Sequence, residues 1–115
     1  MAIPSEIIAL LERLNQELEQ AERDATEGLS LVRQRLSRFP TNVLLLQIFG
    51  ALTNIILFVE IYRGRIQSIE ARISSENTST EILQEAGEDL GAILGRVLEV
   101  KINAWNLKNR LENGQ

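Results

Sequence analysis

Residues 43–62 have the sequence VLLLQIFGALTNIILFVEIY and are the most informative stretch of this 115-residue chain. Apolar side chains recur through the stretch at steps of three and four, which predicts an α-helix. One apolar seam uses only part of this content, because Leu46, Phe49, Leu57 and Ile61 lie away from its centre on a helical wheel. A helix that is apolar nearly all round must be buried nearly all round, so these four residues are predicted to contact another molecule.

Two turn signals separate this segment from the rest of the chain. Pro40 lies within the first, residues 38–42, and disfavours helix in the residue before it. The second is residues 74–80, where Thr78 and Glu81 have the spacing of a capping box. The signals divide the chain into three parts of similar length, and the predicted helices cover about 5–38, 41–73 and 79–112.

The outer parts of the chain show the same heptad rhythm as the central one. Three long helices joined by short turns are expected to pack antiparallel, up-down-up, with shallow crossing angles. The predicted fold is therefore an all-α bundle of three long helices, formed by residues 1–115 as one domain. The surplus of apolar residues on the central helix predicts that this bundle associates into a larger one.

A stripe of glycines marks the third predicted helix. Gly87, Gly91 and Gly95 are spaced by four residues, and Leu98 and Ile102 lie beside them on a helical wheel. Each glycine destabilises a helix interior by up to about 1 kcal/mol relative to alanine, while a smooth stripe allows another backbone to approach. These five residues are predicted to belong to the oligomer or partner interface.

The turn positions also predict which residues face each other. In an antiparallel arrangement, the numbers of facing residues add up to about 79 across the first turn and about 155 across the second. This register brings Trp105 to the level of Gly28 and Gly50, where a large side chain would meet small ones. We therefore predict a buried tryptophan.

The same register places Lys101 near Asn54 and Lys108 near Gln47. Lysine stems at the rim of the bundle can lie along apolar surface while the ammonium stays in water. The alternative is a polar layer of Asn54 and Lys101 that determines register or oligomeric state, as single buried polar residues do in coiled coils.

Composition excludes several classes of function. The chain has 12 basic and 16 acidic residues, a formal charge of −4, no cysteine and no histidine. This balance disfavours nucleic-acid binding, and the missing residue types remove thiol chemistry, the commonest general base and the commonest metal ligand. Known phosphate-binding loops and nucleophile motifs are also missing from the sequence. We therefore predict no catalytic, cofactor or metal residues, and a protein that is not an enzyme.

A membrane anchor formed by residues 43–62 is the first alternative, since 20 residues can span a bilayer. Gln47, Asn54 and Glu60 oppose it, and a single span would separate the outer helices. Residues 1–6 lack the features of a signal peptide, so the expected compartment is the cytoplasm.

These observations predict a non-enzymatic structural or protein–protein interaction module. We expect it to self-associate through the central helix, as a dimer in the first instance, or to bind another helical protein as an accessory subunit. A further alternative is a binder of an apolar small molecule held between helices, near Phe49, Phe58, Tyr62 or Trp105.

Overall fold

The computed structural model describes residues 2–114, and within this range the chain forms three α-helices and no strand. Helix α1 covers Ser5–Arg38, α2 covers Val43–Ile73 and α3 covers Thr80–Glu112. They form an elongated bundle of 57 × 19 × 16 Å in which every pair of helices is in contact. The predicted all-α three-helix bundle is confirmed.

Side-chain pairs show how the helices run. Arg63 of α2 forms a salt bridge with Glu22 of α1 at 3.0 Å, and Leu52 packs over Gly28 further along, so α1 and α2 are antiparallel. The numbers of these facing residues add up to about 80 to 85, close to the predicted register. Helix α3 then returns antiparallel to α2 and parallel to α1.

The first turn is closed by a side-chain cap. Asn42 accepts a hydrogen bond from the backbone N–H of Leu45 at 3.1 Å, which satisfies one of the free donors at the start of α2. Because Asn42 is the capping residue, α2 begins at Val43, two residues later than predicted. Pro40 lies in the turn itself and not in the first turn of the helix.

The second turn differs from the predicted capping box. Ser79, not Thr78, caps α3 by accepting a hydrogen bond from the N–H of Ile82 at 3.2 Å. The hydroxyl of Thr78 instead donates to the carbonyls of Arg72 and Ile73, at 3.0 and 2.9 Å, and so closes the end of α2. The capping residue was misassigned because both neighbours have side chains that cap helices well.

The core consists of the heptad seams of the three helices. One cluster fills the half of the bundle near the second turn, and the other fills the half near the first turn. The largest fully buried side chains are Leu14, Leu18, Val32, Leu52, Val59, Ile66, Ile73, Leu90, Val97 and Leu111.

The predicted burial of Trp105 is wrong. Its side chain is 53% exposed, while the preceding residue, Ala104, is fully buried. The space above Gly28 is taken by Leu52, whose Cδ1 would lie 3.0 Å from an added Cβ, and Gly50 points away into open space. One residue is 100° of helix rotation, so with Ala104 facing the core Trp105 is turned outward.

Candidate interaction surface

The exposed side of α2 is the most unusual surface of the molecule. Leu57 is 51% exposed and Ile61 is 61% exposed, although both belong to the most apolar helix. They lie on one stripe that points away from α1 and α3, which we call the outer face of α2. The outer face consists of Val43, Leu46, Gly50, Thr53, Asn54, Leu57, Ile61 and Gly64.

Most of the outer face lies within a long stretch of sequence without charged residues. After Arg38 the next charged residue along the chain is Glu60, so residues 39–59 contain none. Single exposed apolar side chains are normal on soluble proteins, whereas a continuous apolar patch marks an interaction surface. The outer face therefore has the character of a contact surface.

The predicted contact residue Phe49 has a different position from Leu46, Leu57 and Ile61. Phe49 is less exposed than these three residues, and the guanidinium of Arg33 lies 5.8 Å from its ring centroid. Such cation–π geometry covers one side of the ring. Phe49 thus lies at the edge of the outer face, on the side of α1.

The predicted glycine stripe also points outward. A Cβ added to Gly87, Gly91 or Gly95 would meet no atom within 4 Å in the described part of the chain. Ile102 lies on the same ridge of α3 and is exposed, while Leu98 is half-buried. Packing inside the bundle therefore does not account for these glycines.

The two predicted contact surfaces do not merge into one. A polar groove that includes Arg65 of α2 and Asp89 and Arg96 of α3 runs between these helices. Ile102 and Trp105 instead line a groove on the other side of α3, next to α1. The residues that the sequence suggested as one interface thus form two separate surfaces, the outer face of α2 and the ridge of α3.

Ion pairs close the seam between α1 and α3. The ammonium of Lys101 lies 2.8 Å from Glu17, and that of Lys108 lies 2.6 Å from Glu27 and 3.5 Å from Asp24. The hydrogen bond to Glu27 is the main cause that raises the pKa of Lys108. This α1–α3 seam is the charged counterpart of the outer face of α2.

The predicted neighbours of these two lysines are therefore wrong. Lys101 does not lie beside Asn54, and Lys108 does not lie beside Gln47, because both lysines turn toward α1. Asn54 is exposed on the outer face, so the proposed polar layer with Lys101 does not form within the chain. The signal that sequence reasoning missed is that α1 carries acidic residues at the same seven-residue spacing as the lysines.

Asp24 is the one acidic side chain buried in the described structure, with 4% of its side chain exposed. Its Oδ1 accepts a hydrogen bond from the Gln20 amide at 3.1 Å, while its Oδ2 has no hydrogen-bond partner among the described residues. A buried carboxylate is costly unless it is paired, so Lys108 is important for the stability of this seam.

A further ion pair joins α1 and α2. Arg63 donates two hydrogen bonds to the carboxylate of Glu22, at 3.0 and 3.3 Å. This contact lowers the pKa of Glu22 and raises the pKa of Arg63. Both side chains are at least one third exposed, so the pair is screened by solvent.

The aromatic residues suggested for ligand binding are largely occupied by the chain itself. Phe58 and Tyr62 stack on each other at 4.1 Å between ring centroids, and Arg65 lies 5.1 Å from the Tyr62 ring. Trp105 lines a surface groove of about 380 Å³ together with polar residues such as Gln20. No group of three or more acidic residues that could hold a metal ion occurs within residues 2–114.

By length and composition, α2 is a helix that could cross a membrane. Its most apolar 18-residue window has a mean hydropathy of 2.1, and only 22% of that window is buried inside the bundle. A core helix of a soluble protein passes the same test but is mostly buried. The apolar window of α2 is thus left largely uncovered by α1 and α3.

No protein-family model, curated protein or solved structure matches this chain.

Proposed function

We propose that this protein is a non-enzymatic helical interaction module that self-associates through the outer face of α2. The observation that carries the proposal is the uncharged run of residues 39–59, within which Leu46 and Leu57 are about half exposed on the outer face. The module acts as a structural or accessory component, and we place it in the cytoplasm.

A second copy of the chain suits this surface better than a charged partner. In a twofold dimer the same patch lies on both sides of the interface, so each surface must tolerate its own chemistry. The outer face meets this condition, because it brings no charge against an equal charge and contains no ionisable group to bury. Its only polar members are Thr53, whose hydroxyl donates within the helix to the carbonyl of Phe49 at 2.8 Å, and Asn54, whose amide can both donate and accept across an interface.

Solution mass tests the proposal directly. Sedimentation velocity without detergent is expected to give a dimer or a larger assembly for the wild-type chain. The Leu57→Glu variant is expected to shift the population to monomer and to raise the dissociation constant at least about 100-fold, because a twofold interface buries the new charge twice.

A matched control is available on α1. Ile8 is 45% exposed, close to the value for Leu57, but it lies outside the outer face. The Ile8→Glu variant is expected to keep the wild-type mass, and circular dichroism should show equal helicity for all three proteins. A wild-type monomer at high concentration, or equal effects of the two substitutions, would contradict the proposal.

Membrane association is the second candidate, and the hydropathy and low burial of α2 favour it. In this case the outer face would lie against lipid, and α1 and α3 would cover the other sides of the helix. Flotation with phosphatidylcholine vesicles, with and without anionic lipid, separates the candidates. Binding that disappears in Leu57→Glu but persists in Ile8→Glu, together with a monomeric protein in solution, would replace self-association by membrane binding.

A further inference from the structure

We infer that two copies pack α2 against α2 in antiparallel orientation, about a twofold axis midway between Thr53 and Asn54. The inference rests on the proposed self-association and adds its orientation and register. It starts from the order of large and small residues along the outer face.

That order is self-complementary when the helix is reversed about this midpoint. Gly50 and Leu57 lie at equal distances from it, so the leucine of each copy meets the glycine of the other. Leu46 and Ile61 are also equidistant from it and form the next apolar layer. Reversal therefore brings a large side chain to a glycine in the Leu57–Gly50 layers, while the Leu46–Ile61 layers pair two apolar side chains.

The same relation holds at the ends and at the centre. Val43 and Gly64 are equidistant from the midpoint and pair a branched side chain with a glycine. At the axis, Thr53 of each copy meets Asn54 of the other, so the Asn54 amide can donate a hydrogen bond to the Thr53 hydroxyl oxygen, whose own proton is donated to the Phe49 carbonyl within the helix. The polar residues of the face are thus confined to the centre, and apolar layers lie on both sides.

A parallel arrangement fits this face poorly. Each residue would then face its own copy, so two glycines would meet at Gly50 and two leucines at Leu57. The glycine layer would then leave a gap, which destabilises an interface.

Charge also favours the antiparallel orientation. Glu60 is exposed at the border of the outer face, and a parallel pair would hold the two Glu60 carboxylates at one level. Reversal about the midpoint separates them by about 20 Å along the helix, at 1.5 Å per residue. The antiparallel pair therefore keeps the two Glu60 carboxylates apart.

Because the sequence contains no cysteine, a single introduced cysteine can form a disulfide only with a cysteine of another chain. Three single variants are needed: Asn54→Cys, Leu46→Cys and Ile61→Cys. Asn54→Cys lies next to the axis and is expected to form a homodisulfide on mild oxidation, which shows that the outer face is the contact. Leu46→Cys copies are expected to stay unlinked, because their Cα atoms are about 20 Å apart along the axis, well beyond disulfide reach.

The decisive sample mixes Leu46→Cys and Ile61→Cys chains that carry tags of different mass. The heterodisulfide is expected to form at least about 10-fold faster than either homodisulfide, since these positions share one level. Sedimentation under reducing conditions, before oxidation, verifies that each variant keeps the wild-type mass.

The outcomes separate the two proposals. A dimer in which Leu46→Cys links readily to itself would overturn the antiparallel register while leaving self-association in place. A dimer in which Asn54→Cys does not link would overturn the inferred use of the outer face. A chain that stays monomeric at all concentrations would overturn the proposed function, and the register with it.

Discussion

The outer face of α2 and the α1–α3 seam are two stripes of the same bundle with opposite chemistry. The α1–α3 seam carries three carboxylates and two ammonium groups, and each ammonium is paired within the chain. The outer face carries no charge over residues 39–59, and most of its residues are exposed. The charges of the α1–α3 seam are paired within the chain, whereas the outer face of α2 is exposed.

The charged residues of this bundle are thus divided unevenly between its faces. Charged residues can line a seam that the chain closes itself, because each charge finds a partner there. A surface that binds a second molecule offers no partner charge from its own chain. It therefore avoids burying an unpaired charge only if it carries no charged residue. If the outer face is a contact surface, substitutions on the two stripes must change different quantities.

The largest effect is expected from truncating the core side of α2. Leu52 is fully buried and Leu57 is half exposed, so Leu52→Ala and Leu57→Ala are the same change on opposite sides of one helix. Leu52→Ala is expected to lower the free energy of unfolding by about 3 kcal/mol, while Leu57→Ala changes that of the dilute monomer by less than about 0.5 kcal/mol. Urea unfolding at low protein concentration measures both free energies. Sedimentation should show the reverse order, with self-association weakened more by Leu57→Ala than by Leu52→Ala.

A smaller effect is expected in the α1–α3 seam. Lys108→Met removes the cation beside buried Asp24 and is expected to destabilise the fold by about 2 kcal/mol. The control is Arg63→Met, which breaks the exposed pair with Glu22 and is expected to cost less than about 1 kcal/mol. Equal losses in thermal or urea unfolding would show that burial of Asp24 does not distinguish the two pairs.

Glycine substitutions are expected to have a smaller effect, whose sign depends on the space around each glycine. Gly95→Ala adds a Cβ in open space and is expected to stabilise the fold by up to about 1 kcal/mol. Gly28→Ala places its Cβ 3.0 Å from Leu52, so displacement of that side chain is expected to offset the gain in helix propensity. Thermal unfolding of the two variants measures the difference, and an equal gain at both positions would contradict the tight packing over Gly28.

The smallest effect is expected in the pH dependence of the free energy of unfolding, through the exposed pair of Glu22 and Arg63. The pKa of Glu22 is lowered in the folded chain, chiefly by its hydrogen bond with Arg63. The stabilisation is therefore present above the ordinary pKa of 4.5 and is lost as the pH falls through the folded value. Urea midpoints of wild type and Glu22→Gln, measured from pH 7 to about pH 3, should converge at the acid end.

At alkaline pH the change in stability has the opposite sign and depends on Lys108. The pKa of Lys108 is raised above its ordinary 10.5, chiefly by the hydrogen bond to Glu27. Its contribution is present below pH 10.5 and is lost as the pH rises through the folded value. Wild type and Lys108→Met should therefore converge only in strong alkali, and convergence near neutral pH would contradict the ion pairs.

The helices and the exposed apolar residues of α2 were predictable because their signals are local. Helix periodicity, Pro40 and the capping side chains act over a few residues, and the predicted bounds differ from the observed ones by two residues or fewer. The exposure of Leu46, Leu57 and Ile61 follows from the same periodicity, since these residues lie away from the core seam. The placement of Trp105 and of the two lysines failed, because it depends on the register between helices.

Three helices, their approximate ends and the apolar residues of α2 outside the core seam could all be inferred from the amino-acid sequence. The fold was needed to show that Lys101 and Lys108 pair with α1 and that Ala104, not Trp105, enters the core. It was also needed to show that the ridge of α3 is separate from the outer face of α2. The physical reason is helical geometry. A step of one residue turns a side chain by 100°, so small differences in register between segments distant in the chain decide which groups meet.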